Sequence, residues 1–234
     1  MISATPTRTF LVSIALVCCA PVYAAAPQVS SMCAHHGLGI PISVKTADLD
    51  HNLFPETIVI TCRSRENGRP MGGDISVFQG KRLLWTQSKL NPWKLEIADL
   101  DSDGRLEVLV GVYKKSPKDP VLAKRVFTYN WNGKRLLPRW LSSRLSRRFT
   151  DFTVGKPQGS PRTLLFALEN CPGGLLRVSA YGMISFGCEH LAESEARTDL
   201  LSLKQDGKWP VVVSKTGMLD IVYSGKLLEL RARR

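Results

Sequence analysis

The chain has 234 residues, with 32 Lys and Arg against 20 Asp and Glu and a formal charge of +12. That length suits one well-packed domain, and no segment after the N-terminal stretch has the length or apolarity of a transmembrane helix, which reads against an integral membrane protein. The positive excess predicts attraction to anionic surfaces such as lipopolysaccharide, acidic polysaccharide, phospholipid or nucleic acid, without choosing among them.

Residues 1–24 read as a secretory signal peptide: Arg8 precedes the apolar run 10-FLVSIALVCCA-20, and 22-VYA-24 supplies the small residue before a cleavage point. Val17 stands where a lipid-attachment site carries a small residue, which argues against lipidation at Cys18 or Cys19. Cleavage takes away only Arg8 among the charged residues and leaves +11. The expected location is the periplasm or the medium. Cys33, Cys62, Cys171 and Cys188 then meet an oxidising compartment, where an even number of cysteines predicts disulfides. Residues 25–41 read as an exposed polar N-terminal segment; the histidines of 33-CAHH-36 have no second cluster to make them a metal site.

Four acidic groups fall within nine residues in 98-ADLDSDGRLEVLVGV-112: Asp99, Asp101, Asp103 and Glu107, with Arg105 the only cation nearby in sequence. A bound divalent cation would offset that charge. The spacing D-x-D-x-D-G-x-x-E follows the first nine positions of a calcium loop, with carboxylates at alternate positions, a glycine for the sharp turn and the Arg105 carbonyl as a further ligand. It is not an EF-hand, because Val110 stands where that loop needs a bidentate Glu and the flanks read as strands.

Sliding this segment along the chain exposes a repeat. It superposes without a gap on 47-ADLDHNLFPETIV-59, matching Ala, Asp, Leu, Asp and Glu, and its frame recurs at 153-TVGKPQGSPRTLLFAL-168 and 201-LSLKQDGKWPVVV-213. Each occurrence is followed by a hairpin pattern: 75-ISVFQGKRLLW-85, 126-VFTYNWNGKRLLPRW-140, 177-RVSAYGMISFG-187 and 220-DIVYSGKLLEL-230. Helical periodicity is nowhere sustained. The pattern predicts an all-β chain, a β-propeller of about four four-stranded antiparallel blades over residues 42–234, with repeats at about 42–88, 93–143, 149–190 and 197–234.

These residues resemble the FG-GAP or VCBS repeats of integrin α chains and many secreted bacterial proteins. The resemblance implies structural calcium on Asp99, Asp101, Asp103, the Arg105 carbonyl and Glu107. It implies a weaker second site on Asp48, Asp50, Asn52 and Glu56, where Leu53 replaces the glycine. The last two repeats depart from the pattern, with Lys156 and Lys204 at the position of Asp101 and Arg162 and Pro210 at that of Glu107.

No nucleophile motif, phosphate-cradling glycine loop or histidine–carboxylate pairing suggests catalysis. Two readings remain: a binding module for an anionic polysaccharide, envelope surface or partner protein, and a structural accessory subunit of an exported assembly. No specific nucleic acid is expected. Alternating strand directions would put Lys115 and Lys118, between strands of the second repeat, on the same face as Arg144, Arg147 and Arg148, between repeats, opposite the acidic turns. The same topology predicts Cys33 paired with Cys62 and Cys171 with Cys188.

Overall fold

Alternation along the central strands sets the architecture. In β8 (Glu107–Ser116), Val108, Val110 and Val112 face one apolar cluster and Leu109 faces another. In β12 (Leu164–Asn170), Leu164, Phe166 and Leu168 face one way, and Leu165 and Ala167 the other. A strand buried on both faces lies in a sheet sandwiched between two others.

The computed structural model describes residues 26–185 and 187–233; the signal-peptide expectation falls outside that range. Four antiparallel four-stranded sheets follow in chain order. Sheet one is β1 (Ile40–Ala47), β2 (Glu56–Cys62), β5 (Ile75–Gln79) and β6 (Arg82–Gln87), with a small hairpin of β3 (Ser64–Glu66) and β4 (Arg69–Met71) between its second and third strands. Sheet two is β7 (Pro92–Ala98), β8, β9 (Asp119–Trp131) and β10 (Leu136–Leu141). Sheet three is β11 (Phe149–Gly155), β12, β13 (Leu176–Ile184) and β14 (Gly187–Glu193); sheet four is β15 (Leu200–Asp206), β16 (Trp209–Ser214), β17 (Gly217–Tyr223) and β18 (Leu228–Ala232). No closed ring is detected among the described residues.

One apolar cluster fills each gap between consecutive sheets. Ile58, Ile60 and Val77 of sheet one meet Val108, Val110 and Tyr129 of sheet two. Leu109 and Val126 meet Phe152, Leu165 and Tyr181, and Phe166, Val178 and Ala180 meet Leu203, Val212 and Ile221. The outer face of sheet one is covered by a helix the sequence pattern did not reveal, α1 (Ala26–His35), whose Val29, Met32 and Cys33 pack on Val59 and Phe78. The expected exposed segment is therefore partly core. Ten residues are too few to be helical in water by propensity, so packing on the sheet supplies the stability. Sheet four ends the stack with ion pairs instead, Arg231 to Glu229 at 2.7 Å and Arg233 to Asp220 at 3.4 Å.

The first strands of successive sheets lie against one another, β1 on β7, β7 on β11 and β11 on β15, and polar groups tie them. Lys45 pairs with Glu96 at 2.9 Å, the Thr153 hydroxyl donates to Glu96 at 3.4 Å, and Lys94 pairs with Asp151 at 2.9 Å. Asp151 Oδ2 accepts the Leu203 N–H at 2.7 Å, and Lys94 Nζ donates to the Leu203 carbonyl at 2.8 Å. A sheet-two lysine thus reaches the backbone of sheet four. Flat sheets stacked about 10 Å apart would hold those two about 20 Å from each other, so the first strands converge.

Candidate cation and anion sites

Because neighbouring strands are antiparallel, the loops joining strands one and two and strands three and four leave each sheet at one end. The two–three connections and the linkers between sheets leave at the other. Both acidic loops sit at the first end, and they touch: His51 Nε2 lies 2.9 Å from the Gly104 carbonyl.

The loops share one construction. Glu56 and Glu107 open β2 and β8, are fully buried, and accept the N–H of Leu49 at 3.0 Å and of Leu100 at 2.8 Å. Each glutamate thereby closes its loop across seven residues. Ligand oxygens of Asp48, Asp50 and Glu56 lie within 4.8 Å of one another, and so do those of Asp99, Asp101 and Glu107. Asp103 stands apart from its cluster, and both it and Asn52 cap their own turns: Asp103 Oδ1 accepts the Arg105 N–H at 2.8 Å, and Asn52 Oδ1 accepts the Phe54 N–H at 2.8 Å.

The clusters differ in their counter-charge. Arg139 on β10 pairs with both Asp101 and Glu107. The sequence reading, which found only Arg105 nearby, is corrected by this contact across 38 and 32 residues. It arises because Leu137, Asn130 and Glu107 lie in one cross-strand row and a bulge between Pro138 and Trp140 aims Arg139 along it. Burial pushes the Glu107 carboxyl up to about 7, against the pull of the Leu100 N–H and Arg139. Burial also works upward on Asp101, but the Arg139 hydrogen bond and charge hold it below its ordinary value. In sheet one the corresponding bulge lies between Leu83 and Trp85 and carries Leu84. Among the described residues no cation pairs with Asp48, Asp50 or Glu56. Asp50 Oδ1 and Glu56 Oε1 are buried without a hydrogen-bond partner. Burial raises the Glu56 carboxyl, and Asp50 and Asp48 raise it further.

The two segments that carry the expected basic residues meet at the opposite end through Asp119. Lys115 and Lys118 are exposed on the β8–β9 hairpin, and Arg144, Arg147 and Arg148 are exposed on the linker after β10. Arg148 lies 3.5 Å from Asp119 at the hairpin tip. Buried Arg125, 1% exposed, locks the two segments: it pairs with Asp119 at 2.9 Å and donates to the carbonyls of Lys114, Asp119, Val121 and Ser143. The linker is pinned from below as well, with the Arg147 N–H on Glu169 at 3.2 Å and the Ser146 N–H on the Tyr181 hydroxyl at 3.1 Å.

Beside this patch lies a cluster that sequence reading missed. Lys124 Nζ sits 4.0 Å from the centre of the Trp93 ring and 5.9 Å from that of Tyr113, while Arg69, on the hairpin of sheet one, stacks 5.7 Å from the same Tyr113. Burial lowers the Lys124 pKa, with Asp151 opposing and Lys94 adding to the shift.

All four cysteines are free thiols, so the expected disulfides are not present. For Cys171 and Cys188 the register is the reason: Cys171 follows the end of β12, whose Asn170 pairs with Leu176, whereas Cys188 pairs with Met183 at the far end of β13. Seven residues of strand, about 23 Å at 3.3 Å per residue, separate them, beyond the reach of a disulfide. Cys33 and Cys62 do share an end: the Cys33 carbonyl accepts the Leu38 N–H at 2.9 Å, and Ile40 pairs with Cys62. No protein-family model matches this chain, and no curated protein matches it either.

Proposed function

We propose that this chain is an exported, non-catalytic binding module of the FG-GAP or VCBS type. Its four sheets radiate as propeller blades, a calcium ion steadies one end, and the other end recognises an anionic polysaccharide or envelope polymer. The contact of Lys94 with both Asp151 and Leu203 supports the radial arrangement, since only converging first strands bring sheets two, three and four to one lysine.

The observation that carries the ligand reading is the clamp at Arg125. It fixes two basic segments side by side, so that Lys115, Lys118, Arg144, Arg147 and Arg148 are presented by an ordered surface. Preorganised charge attracts a polyanion without a further ordering penalty. Trp93 and Tyr113 beside it hold Lys124 and Arg69 against their rings, which adds two cations to the same end.

The all-oxygen donor set suits a hard cation such as calcium. Buried oxygens without a hydrogen-bond partner number two in the first loop, on Asp50 and Glu56, and one in the second, on Asp99, and with no cation paired to the first cluster they favour the first loop as its site, with Asp48 completing it. In the second loop Arg139 already supplies positive charge, which reverses the ranking expected from the sequence. Calcium there would serve to neutralise the loop and hold the turn.

Replacing Arg144, Arg147 and Arg148 together with Ser tests the ligand reading. Binding to acidic polysaccharide or lipopolysaccharide should fall about ten-fold or more at equal melting temperature, and binding by the parent should weaken with salt. Equal binding by the triple variant would transfer the case to the accessory-subunit reading.

A further inference from the structure

The first acidic loop carries two residues that nothing in the fold requires. Leu53 is 86% exposed and Phe54 67% exposed, next to each other at the tip. Leu53 has φ +70°, in the left-handed region, where the second loop places Gly104 at φ +86°. A glycine would meet that backbone without strain. The chain instead keeps a strained leucine whose side chain contributes nothing to the core. The tip is also rigid: the Asp48 carboxylate accepts the N–H groups of Asn52 and Leu53, both at 3.0 Å, and Asn52 accepts that of Phe54.

Three neighbouring turns surround the loop, two by hydrogen bonds and one by close approach. Gln79, just before the β5–β6 turn, donates to the Phe54 carbonyl at 3.4 Å. A Cβ on Gly133, in the β9–β10 turn, would lie 3.6 Å from Asp50. His51 meets Gly104 of the second loop. These turns carry exposed Lys81 and Arg82, Lys134 and Arg135, and Arg105. Most nearby carboxylates turn inward or are engaged, Asp50 and Glu56 by their buried oxygens, Asp48 and Asp99 by backbone N–H groups, Asp101 and Glu107 by Arg139, and exposed Asp103 stands against five exposed cations. Asp103 accepts the Arg105 N–H.

An apolar pair held rigidly inside a ring of Lys and Arg matches the interfacial zone of an anionic bilayer, where apolar groups enter the acyl boundary and basic groups meet the headgroups. We propose that Leu53 and Phe54 are a membrane-contact tip, and that this end of the molecule docks on a lipid surface rich in anionic headgroups. The polymer-binding surface at the other end then faces outward. The contact is independent of that reading, because no residue is shared.

The test is cosedimentation of the intact protein with vesicles of phosphatidylglycerol and phosphatidylcholine in equal parts, against phosphatidylcholine alone. The parent is expected to pellet with the mixed vesicles only. The variant Leu53→Gly/Phe54→Ser should lose ten-fold or more in partition with its melting temperature unchanged or raised, and Lys134→Glu/Arg135→Glu should weaken partition too. The Arg144, Arg147, Arg148 triple variant should pellet like the parent, and the tip variant should keep its polysaccharide binding. Failure of the parent to pellet with mixed vesicles, or a tip variant that pellets as the parent does, overturns the proposal. Neither result touches the polymer-binding reading.

Discussion

The two acidic loops are built from nearly the same residues, yet 133-GKRLLPRW-140 exceeds 80-GKRLLW-85 by Pro138 and Arg139, and that insertion changes what each loop needs. With Arg139 in place, Glu107 and Asp101 have a cationic partner; with Leu84 in the matching bulge, Glu56 and Asp50 have none. Breaking a buried ion pair from one side is strongly destabilising, by about 3 kcal/mol or more. Arg139→Met should therefore melt well below the parent in chelator and recover part of the loss in millimolar calcium, as the vacated carboxylates take an ion. Asp50→Asn and Glu56→Gln should each abolish the smaller calcium-dependent rise of the parent. Scanning fluorimetry with and without chelator reads all three, and a parent curve indifferent to calcium would sink the first-loop site. The carboxylate spacing was legible in the sequence because all its members are local. Arg139 was not, because its contact depends on strand register and a bulge.

At the scale of elements, three hairpins were legible at glycines of positive φ, Gly80, Gly133 and Gly225, whereas the short β3–β4 hairpin at Gly68, also at positive φ, was not. Gly182 misled for a physical reason. It lies inside β13, where a Cβ would come within 3.0 Å of Leu191 and 2.9 Å of Arg162, so it is there for close packing, and the chain turns after Ile184, with Ser185 at φ +42°. That displacement moves Cys188 from the end of a fourth strand to its beginning. Peptide mapping under non-reducing conditions should accordingly find no link between Cys171 and Cys188; such a link would mean that β13 and β14 are wrongly registered. The β8–β9 hairpin offers a separate check. Arg125→Met leaves the carbonyls of Lys114, Val121 and Ser143 without their donor, each worth about 1 kcal/mol. The variant should melt lower and lose polymer binding along with the ordered patch, whereas the triple surface variant loses binding alone. Helix α1 escaped sequence reading since its two or three apolar contacts are too few to show a period, and only the face formed by Val59 and Phe78 explains it.

For the whole molecule, the repeat announced four equivalent sheets, and the clusters between them follow from strands that are apolar on both faces. What no repeat pattern could convey is how the sheets are held at their first strands, because the residues that do it differ in charge from repeat to repeat: Lys45, Glu96 and Asp151 fall at one repeat position, 51 and 55 residues apart, and Lys94 lies two residues before it. Asp151 is the centre of that arrangement, pairing with Lys94, accepting the Leu203 N–H and accepting its neighbour's N–H at Phe152. Its side chain is 13% exposed and that of Lys94 19%, so water screens the pair little. Asp151→Asn should cost about 2 kcal/mol and lower the melting temperature by about 4 to 8 °C for a chain of this size. Lys94→Met removes the same contact from the other side. In a double-mutant cycle the two substitutions should therefore couple by at least about 1 kcal/mol, since the second has little left to break. Additivity within about 0.5 kcal/mol would mean that Lys94 and Asp151 do not meet in solution. The convergence of sheets two, three and four would then lose the tie that runs through Lys94, leaving the Asp151–Leu203 and Thr153–Glu96 hydrogen bonds between neighbouring first strands.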